Sequence, residues 1–147
     1  MAERETIWQD GEEIALPVAA ATKIELGKLV ANNGAGAAVE AADTDGYVVI
    51  GVALHTVDNS AGSAGDLSVR VRRGKAAWLE NSATNAVTAA SIGLPVYVED
   101  DETVCLAAGA THNVVAGICL AVDAARGVLV EHPGRVAVTV EAAASGT

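Results

Sequence analysis

Short stretches of alternating apolar and polar residues recur along this chain, and such alternation is typical of β-strands with one buried face. In Arg135–Glu141, the residues Val136, Val138 and Val140 fall on one face of an extended chain. The stretch Leu67–Arg73 alternates in the same way and places Ser and Arg side chains opposite its apolar residues. The pattern predicts strands at Glu13–Val18, Lys28–Ala31, Ala37–Ala41, Tyr47–Leu54, Leu67–Arg73, Lys75–Glu80, Pro95–Glu99, Thr103–Ala107, Val114–Val122, Gly127–Glu131 and Val136–Val140.

Turn and helix signals separate these strands. Asn33 and Gly34 predict a tight hairpin, because a primed turn needs positive φ at both central residues. One short helix is predicted around Asn85–Ser91, with Thr84 as its N-cap and Gly93 at its end. Weaker turn signals of the Asn-Gly kind occur at Asp45-Gly46, Arg73-Gly74 and Pro133-Gly134.

Together these elements predict an all-β protein, a single compact β-barrel or sandwich with one short helix. Residues 1–17 are interpreted as an N-terminal arm and first strand region, residues 18–141 as the β domain, and residues 142–147 as a flexible C-terminal tail. Within the domain, the small polar residues of Asp58–Gly65 predict a flexible surface loop.

The apolar residues of this 147-residue chain are mostly small. Hydrophobic residues make up 51% of it, yet it has no Phe, two Trp and two Tyr. Because the hydrophobic contribution grows with the buried apolar area, small side chains give a narrow stability margin. Association of copies compensates for such a margin, so we expect a homo-oligomer, most simply a trimer.

The net charge of −10 excludes several partner classes. A free-standing nucleic-acid-binding protein needs a basic surface to displace counterions, and an anionic membrane surface makes the same demand. The longest apolar stretches, such as Val48–Leu54, are too short to cross a bilayer. The N-terminal residues lack the apolar stretch of a signal peptide, so we expect synthesis in a cytoplasm, with no nucleic acid and no membrane as partner.

The two cysteines and three histidines form no recognisable motif. Cys105 and Cys119 lie in apolar stretches and are interpreted as reduced core residues, with a disulfide between neighbouring strands as the alternative. His55, His112 and His132 are far apart in the sequence and lack the spacing of metal ligands.

No arrangement typical of catalysis was found either. The acidic run Glu99–Glu102 joins two predicted strands and is interpreted as a solvated hairpin tip, with a calcium site as the alternative. Nucleophilic catalysis needs a nucleophile, a base and a group that orients the base, and no segment supplies them. We therefore expect a protein that is not an enzyme, with no cofactor, no metal and no small-molecule substrate.

The basic residues are concentrated in one place. Arg70, Arg72, Arg73 and Lys75 are four of the nine Lys and Arg residues of the chain. One interpretation is a sheet edge or face that is charged to prevent aggregation between strands. The other is a patch that docks onto an acidic partner or onto a neighbouring copy.

Two segments resemble the C-terminal half of the capsid decoration, or cement, proteins of tailed bacteriophages. They are residues 85–104, NAVTAASIGLPVYVEDDETV, and residues 115–123, VAGICLAVD. The family's order is similar: a short helix, a glycine, a Val-Tyr-Val strand, an acidic turn, a Thr-Val strand, a Val-Ala-Gly strand and a closing valine-rich strand, here Gly127–Glu131. The earlier stretch Tyr47–Ala53 resembles the family's Gly-Val-Ala strand, so the resemblance covers about two thirds of the chain.

This resemblance implies a non-enzymatic, β-rich protein that binds the outside of the phage head, often as a trimer, with the major capsid protein as its partner. It also implies assembly in the cytoplasm of an infected bacterium. Ile7 and Trp8 in the arm Met1–Pro17, together with the four basic residues, are the expected partner-binding residues, since Trp is favoured at binding hot spots. Packing of Trp8 on its own domain is the alternative.

A carbohydrate- or host-receptor-binding module of a phage fibre or adhesin is the competing hypothesis. Sugar binding favours exposed aromatic platforms, and this chain has four Trp and Tyr residues in all. The aromatic content therefore favours the capsid hypothesis.

Overall fold

The computed structural model describes residues 3–7, 9 and 11–132, and the regular structure in this part of the chain consists of strands and two short 3-10 helices. The all-β prediction is confirmed. No helix among these residues has the length and apolar character needed to cross a membrane. The strands are β1 (Glu13–Pro17), β2 (Thr22–Ile24), β3 (Leu29–Asn32), β4 (Ala38–Glu40), β5 (Val48–Ala53), β6 (Val57–Asn59), β7 (Ser68–Arg72), β8 (Ala76–Asn81), β9 (Pro95–Val98), β10 (Thr103–Cys105), β11 (Val115–Asp123) and β12 (Gly127–Glu131).

Ten of these strands coincide with predicted ones to within two residues at either end. The prediction missed β2 and β6, which pair only with each other. Each has three residues, too few to show an alternation of apolar and polar positions. The predicted strand Val136–Val140, the Pro133-Gly134 turn and the tail at residues 142–147 lie outside the described residues.

Strands from the first half of the chain form a five-stranded antiparallel sheet in the order β1-β7-β5-β3-β4. Just after β1, Val18 forms an isolated bridge with Ala38 of β4, so the sheet curls until its two ends meet. Val18, Val30, Val69 and Val71 fill its concave side with Ile24 of the β2–β6 pair, and none of them is exposed to solvent.

The second half of the chain forms a closed barrel in the order β10-β8-β12-β11-β9. Two glycines permit this closure. A Cβ on Gly127 would lie 2.1 Å from the carbonyl oxygen of Leu79, and one on Gly117 would lie 2.2 Å from that of Glu131. The backbones of neighbouring strands thus approach each other more closely than any side chain allows.

Strand β3 joins the sheet to the barrel. Its residues Leu29, Val30 and Ala31 are all fully buried, because Leu29 and Ala31 belong to the barrel core and Val30 to the sheet core. A strand buried on both faces has a continuous apolar sequence, as here.

The predicted helix at Asn85–Ser91 is wrong. Asn81 accepts a hydrogen bond from the Val87 N–H (2.8 Å) and donates one to the Val87 carbonyl (2.9 Å), which ties Val87 to the end of β8. Only Ala89–Ser91 turns, as a 3-10 helix capped by the Thr88 side chain.

Two loops also differ from their prediction. The β3–β4 hairpin has a five-residue loop, residues 33–37, with positive φ at Gly34 and Gly36 rather than a tight turn at Asn33-Gly34. The predicted flexible loop Asp58–Gly65 is held from within, because the buried side chain of Asn59 donates to the carbonyls of Ala19 and Ser63, both at 3.0 Å.

Candidate partner-binding surface

Strand β7 presents two arginines on the outer face of the five-stranded sheet. Val69 and Val71 point into the core and are fully buried, while the side chains of Arg70 and Arg72 are 57% and 44% exposed. The period of two residues in a strand thus separates core from surface as the sequence predicts.

A single glutamate on the neighbouring strand contacts both arginines. Glu13 of β1 lies 3.1 Å from the Arg70 guanidinium and 3.7 Å from that of Arg72. One carboxylate therefore offsets part of the charge of two guanidiniums, and these three groups retain a net charge of +1. The surface is less basic than the sequence alone indicates.

The position of β7 shows whether the arginines lie at an edge of the sheet or on its face. Strand β7 lies between β1 and β5, so it is an interior strand of the sheet. Its residues Arg70 and Arg72 therefore cannot shield an unpaired strand edge. The edge form of the anti-aggregation interpretation is wrong, and a charged sheet face remains.

His55 fixes the backbone beneath the arginines. Its Nε2 atom accepts a hydrogen bond from the Arg70 N–H at 3.0 Å, and the Leu54 N–H donates to the Arg70 carbonyl at 2.9 Å. This histidine therefore has a structural contact on the sheet, which its sequence context did not predict.

Arg73 and Lys75, the other two residues of the basic cluster, lie in the loop between β7 and β8. The Arg73 N–H donates to the Glu12 carbonyl (2.7 Å), and the Lys75 carbonyl accepts from the His132 N–H (3.3 Å). Arg73 is half-buried and Lys75 is exposed. Of the four predicted basic residues, only Arg70 and Arg72 share the outer face of β7, and the other two lie in the loop that follows it.

The N-terminal arm begins at this same corner of the sheet. Residues 3–7 have no regular structure, and the Ile7 side chain is 91% exposed, whereas Trp8 lies outside the described residues. Within residues 1–17, interpreted as an arm and first strand region, Glu13–Pro17 form strand β1 and pair with β7. Its Ile14 and Leu16 pack against the sheet core. The pairing of β1 with β7 brings the root of the arm next to the basic residues.

A second charged cluster ties the sheet to the barrel. Lys28 contacts Glu102 at 2.7 Å and Asp101 at 3.2 Å, and hydrogen bonds from these two carboxylates raise its pKa. Burial, together with the nearby Asp101, raises the pKa of the Glu40 carboxyl. The acidic run Glu99–Glu102 is thus the β9–β10 turn, but it docks on Lys28 instead of being a purely solvated tip.

The described part of the chain was searched for clustered metal ligands and for reactive thiols. No group of three or more His, Cys, Asp or Glu side chains there has the arrangement to hold a metal ion. Cys105 and Cys119 are free and fully buried, and burial raises the pKa of the Cys105 thiol to about 11. A thiol with that pKa is almost entirely protonated at neutral pH and is a poor nucleophile.

Trp78 does not form an open aromatic platform. It is half-buried on β8, and the guanidinium of Arg126 lies over its ring at 4.3 Å from the centroid. A sugar ring would have to displace this cation–π contact. Comparison of the chain with family models, with curated proteins and with solved structures found no match.

Proposed function

We propose that this protein is a capsid decoration protein, which binds the outer surface of a tailed-phage head and stabilises it by bridging neighbouring subunits of the major capsid protein. The observation that carries the proposal is the exposed N-terminal segment, with Ile7 at its surface, leading into β1 beside the arginines of β7. An apolar anchor next to a basic face fits a partner with an apolar groove and an acidic rim.

The segments that resemble cement proteins add support. Residues 85–104 and 115–123 contain β9, β11 and the first two residues of β10, which are three of the five barrel strands. These segments therefore lie in the barrel, whereas the arm leads into the five-stranded sheet. We infer that the sheet and the arm contact the capsid, while the barrel forms the rest of the bound protein.

Bridging is effective even when each contact is weak. A protein that touches two capsid subunits converts its second contact into an intramolecular one, so the effective affinity greatly exceeds that of either contact. The net charge of −10 also keeps unbound copies soluble before they attach. The proposed location is the capsid exterior, after synthesis in the host bacterium.

The test is binding of the purified protein to purified heads that lack it, measured as copies that sediment with the heads. The wild type should bind saturably, and added salt should weaken binding. Failure of the wild type to bind would contradict the proposed function itself.

Two matched variants test the surface. The double variant Arg70→Glu and Arg72→Glu should bind less, because it places three carboxylates together on the sheet face. Glu13→Gln should bind at least as well as the wild type and show a steeper salt dependence, since it releases both arginines from their carboxylate partner. Equal binding of the wild type and both variants at every salt concentration would show that the arginines are not part of the interface.

A further inference from the structure

Three of the seven large apolar side chains exposed in the described part of the chain lie together on the barrel. Ile92, Leu94 and Leu120 are 50%, 54% and 41% exposed. Backbone hydrogen bonds at Cys119, the residue before Leu120, bring them together. The Gly93 N–H donates to the Cys119 carbonyl (2.7 Å), and the Cys119 N–H donates to the Leu94 carbonyl (2.9 Å). The segment before β9 and strand β11 thus meet at one position of the barrel surface.

A β-bulge in β11 directs Leu120 outward. Cys119 pairs with Val130 of β12 and Ala121 pairs with Leu129, so Leu120 is an extra residue with no partner on β12. Cys119 is fully buried, whereas Leu120 is exposed. A bulge of this kind re-aims a side chain at the expense of one position of strand pairing. The exposure of Leu120 is therefore built into the barrel.

The segment before β9 extends this apolar surface. Residues 88–90 and 92–94 are exposed, and only Ser91 between them is buried. The exposed residues are one Thr, two Ala, one Ile, one Gly and one Leu. We call residues 88–94 together with Leu120 the apolar barrel face.

The apolar barrel face belongs to the uncharged part of an acidic protein. Residues 81–98 include no Asp, Glu, Lys, Arg or His, and neither do residues 113–122, although the chain has 19 acidic and 9 basic residues. The other exposed leucines differ, because each directly follows a carboxylate residue: Glu25 precedes Leu26, and Asp66 precedes Leu67. A contiguous apolar patch without charges is typical of a surface that another protein covers.

We propose that the apolar barrel face is the contact through which copies of this chain associate. Each copy has a net charge of −10, so two copies repel each other wherever their charged surfaces approach. An uncharged face lets them meet without placing carboxylates opposite each other, and it gives an acidic or basic partner no charge to recognise. The proposal does not depend on capsid binding, which is assigned to the arm and to the arginines of β7.

The apolar barrel face has the composition of the centre of an interface. Such a centre is apolar and depleted of charged residues, and a polar rim surrounds it. Charge returns at the border of the face, where Glu131 of β12 lies opposite Ile118, two residues before Leu120. Covering the face also adds apolar burial to a protein whose core consists mainly of valine.

Light scattering across the micromolar range measures this association. Ile92→Asp with Leu94→Asp should raise the apparent Kd of the wild type at least about a hundredfold, because the contact loses two large apolar side chains and gains charge. Leu26→Asp with Leu67→Asp adds the same charge at exposed leucines outside the barrel and should associate like the wild type. A wild type that stays a single chain would overturn the proposal, and so would a control that dissociates as readily as the barrel variant.

Salt dependence separates this contact from capsid binding. Added salt screens the repulsion between like-charged copies and should strengthen their association, whereas it should weaken attachment through the arginines.

Hydrogen exchange of the unmodified protein locates the contact without a variant. Amides of residues 88–94 should exchange at least about tenfold more slowly at high than at low protein concentration, and those of residues 3–7 should not change. Association that weakens with salt, or concentration-dependent protection confined to another surface, would contradict the assignment of this face.

Discussion

Asp43 shows how one side chain joins two parts of this chain that are far apart in sequence. Its carboxylate accepts hydrogen bonds from the N–H groups of Thr111 (2.6 Å) and His112 (2.8 Å). Burial alone would raise the pKa of Asp43, but these two backbone donors and the nearby His112 ring bring it below its ordinary value of 3.8. The carboxylate thus holds the loop before β5 against the loop before β11.

Asp43→Asn is expected to lower the free energy of unfolding at pH 7 by about 1–2 kcal/mol, because charge-assisted hydrogen bonds become neutral ones. A carboxyl with a lowered pKa stabilises the folded state above its unfolded pKa, and that contribution is lost as the pH falls through the folded pKa. The difference between wild type and variant should therefore be constant above pH 3.8 and shrink below it.

Urea unfolding at a series of pH values measures this difference. Asp45→Asn, an exposed change two residues away, serves as the control and should alter stability little. A difference between wild type and Asp43→Asn that persists at the lowest pH would show that the carboxylate charge is not the cause.

Side chains that bond to distant backbone explain which local predictions failed. Asn81 ties Val87 to the end of β8, where the sequence of Asn85–Ser91 alone favours a helix. Asn59 orders a loop whose composition predicts flexibility. In both cases an asparagine satisfies backbone groups outside its own strand, and no short-range pattern shows such a contact.

The strands themselves were largely predictable because their alternation reflects the two faces of the sheet. Strand β7 is the simplest example, with Val69 and Val71 inside and arginines outside. The division into a sheet and a closed barrel was not predictable, because it depends on pairings between distant strands, such as the parallel contact of β8 with β10.

Closure of the barrel makes a specific demand on Gly127. This residue has φ of +96°, and a Cβ there would lie 2.1 Å from the Leu79 carbonyl oxygen. Gly36 has a nearly equal φ of +92° but nothing within 4 Å of its Cβ position. The two glycines therefore separate the cost of the backbone conformation from the cost of the clash.

We predict that Gly36→Ala lowers the free energy of unfolding by about 1–2 kcal/mol, the cost of a left-handed backbone conformation for alanine. Gly127→Ala should lower it by about 3 kcal/mol or more, because the barrel strands must also move apart. Chemical denaturation of both variants gives the comparison. Equal losses would mean that the β8–β12 contact relaxes at little cost.

The whole molecule has an interior of small side chains. Of the twelve largest fully buried side chains in the described part of the chain, ten are valines and none is aromatic. The large apolar side chains exposed among the described residues are Ile7, Leu26, Val48, Leu67, Ile92, Leu94 and Leu120, so Leu and Ile outnumber Val there.

Association therefore remains a prediction that rests on the thin core. Light scattering of the purified protein at micromolar concentration should give three times the chain mass of 14.7 kDa. A mass of one chain would contradict a trimer formed in solution, and trimers would then arise only on the capsid.

The arm gives a prediction that separates folding from binding. Deleting Met1–Asp10 should change the melting temperature by no more than about 2 °C, since Ile7 is 91% exposed and residues 3–7 pair with no strand. Binding to heads should fall about tenfold or more. Burial of Ile7 and Trp8 contributes about 1.5–3 kcal/mol each, partly offset by about 1–2 kcal/mol per residue that becomes ordered.

The variant Ile7→Ser with Trp8→Ser keeps the length of the arm and should bind as poorly as the deletion. If the truncated protein unfolds at a much lower temperature and still decorates heads normally, the arm belongs to the fold and not to the interface.

The candidate surface was only partly predictable from the sequence. The outward direction of Arg70 and Arg72 follows from strand alternation. Their shared contact with Glu13 does not, because it depends on β1 pairing with β7 across more than fifty residues of sequence. The proximity of the arm to the arginines has the same origin.

The copy number of this protein in purified virions tests the proposed function most directly. Quantitative mass spectrometry of virions, washed at low salt, should find the chain in a fixed integral ratio to the major capsid protein. Its presence only in the unassembled fraction, or in trace amounts that vary between preparations, would contradict a role in decorating the head.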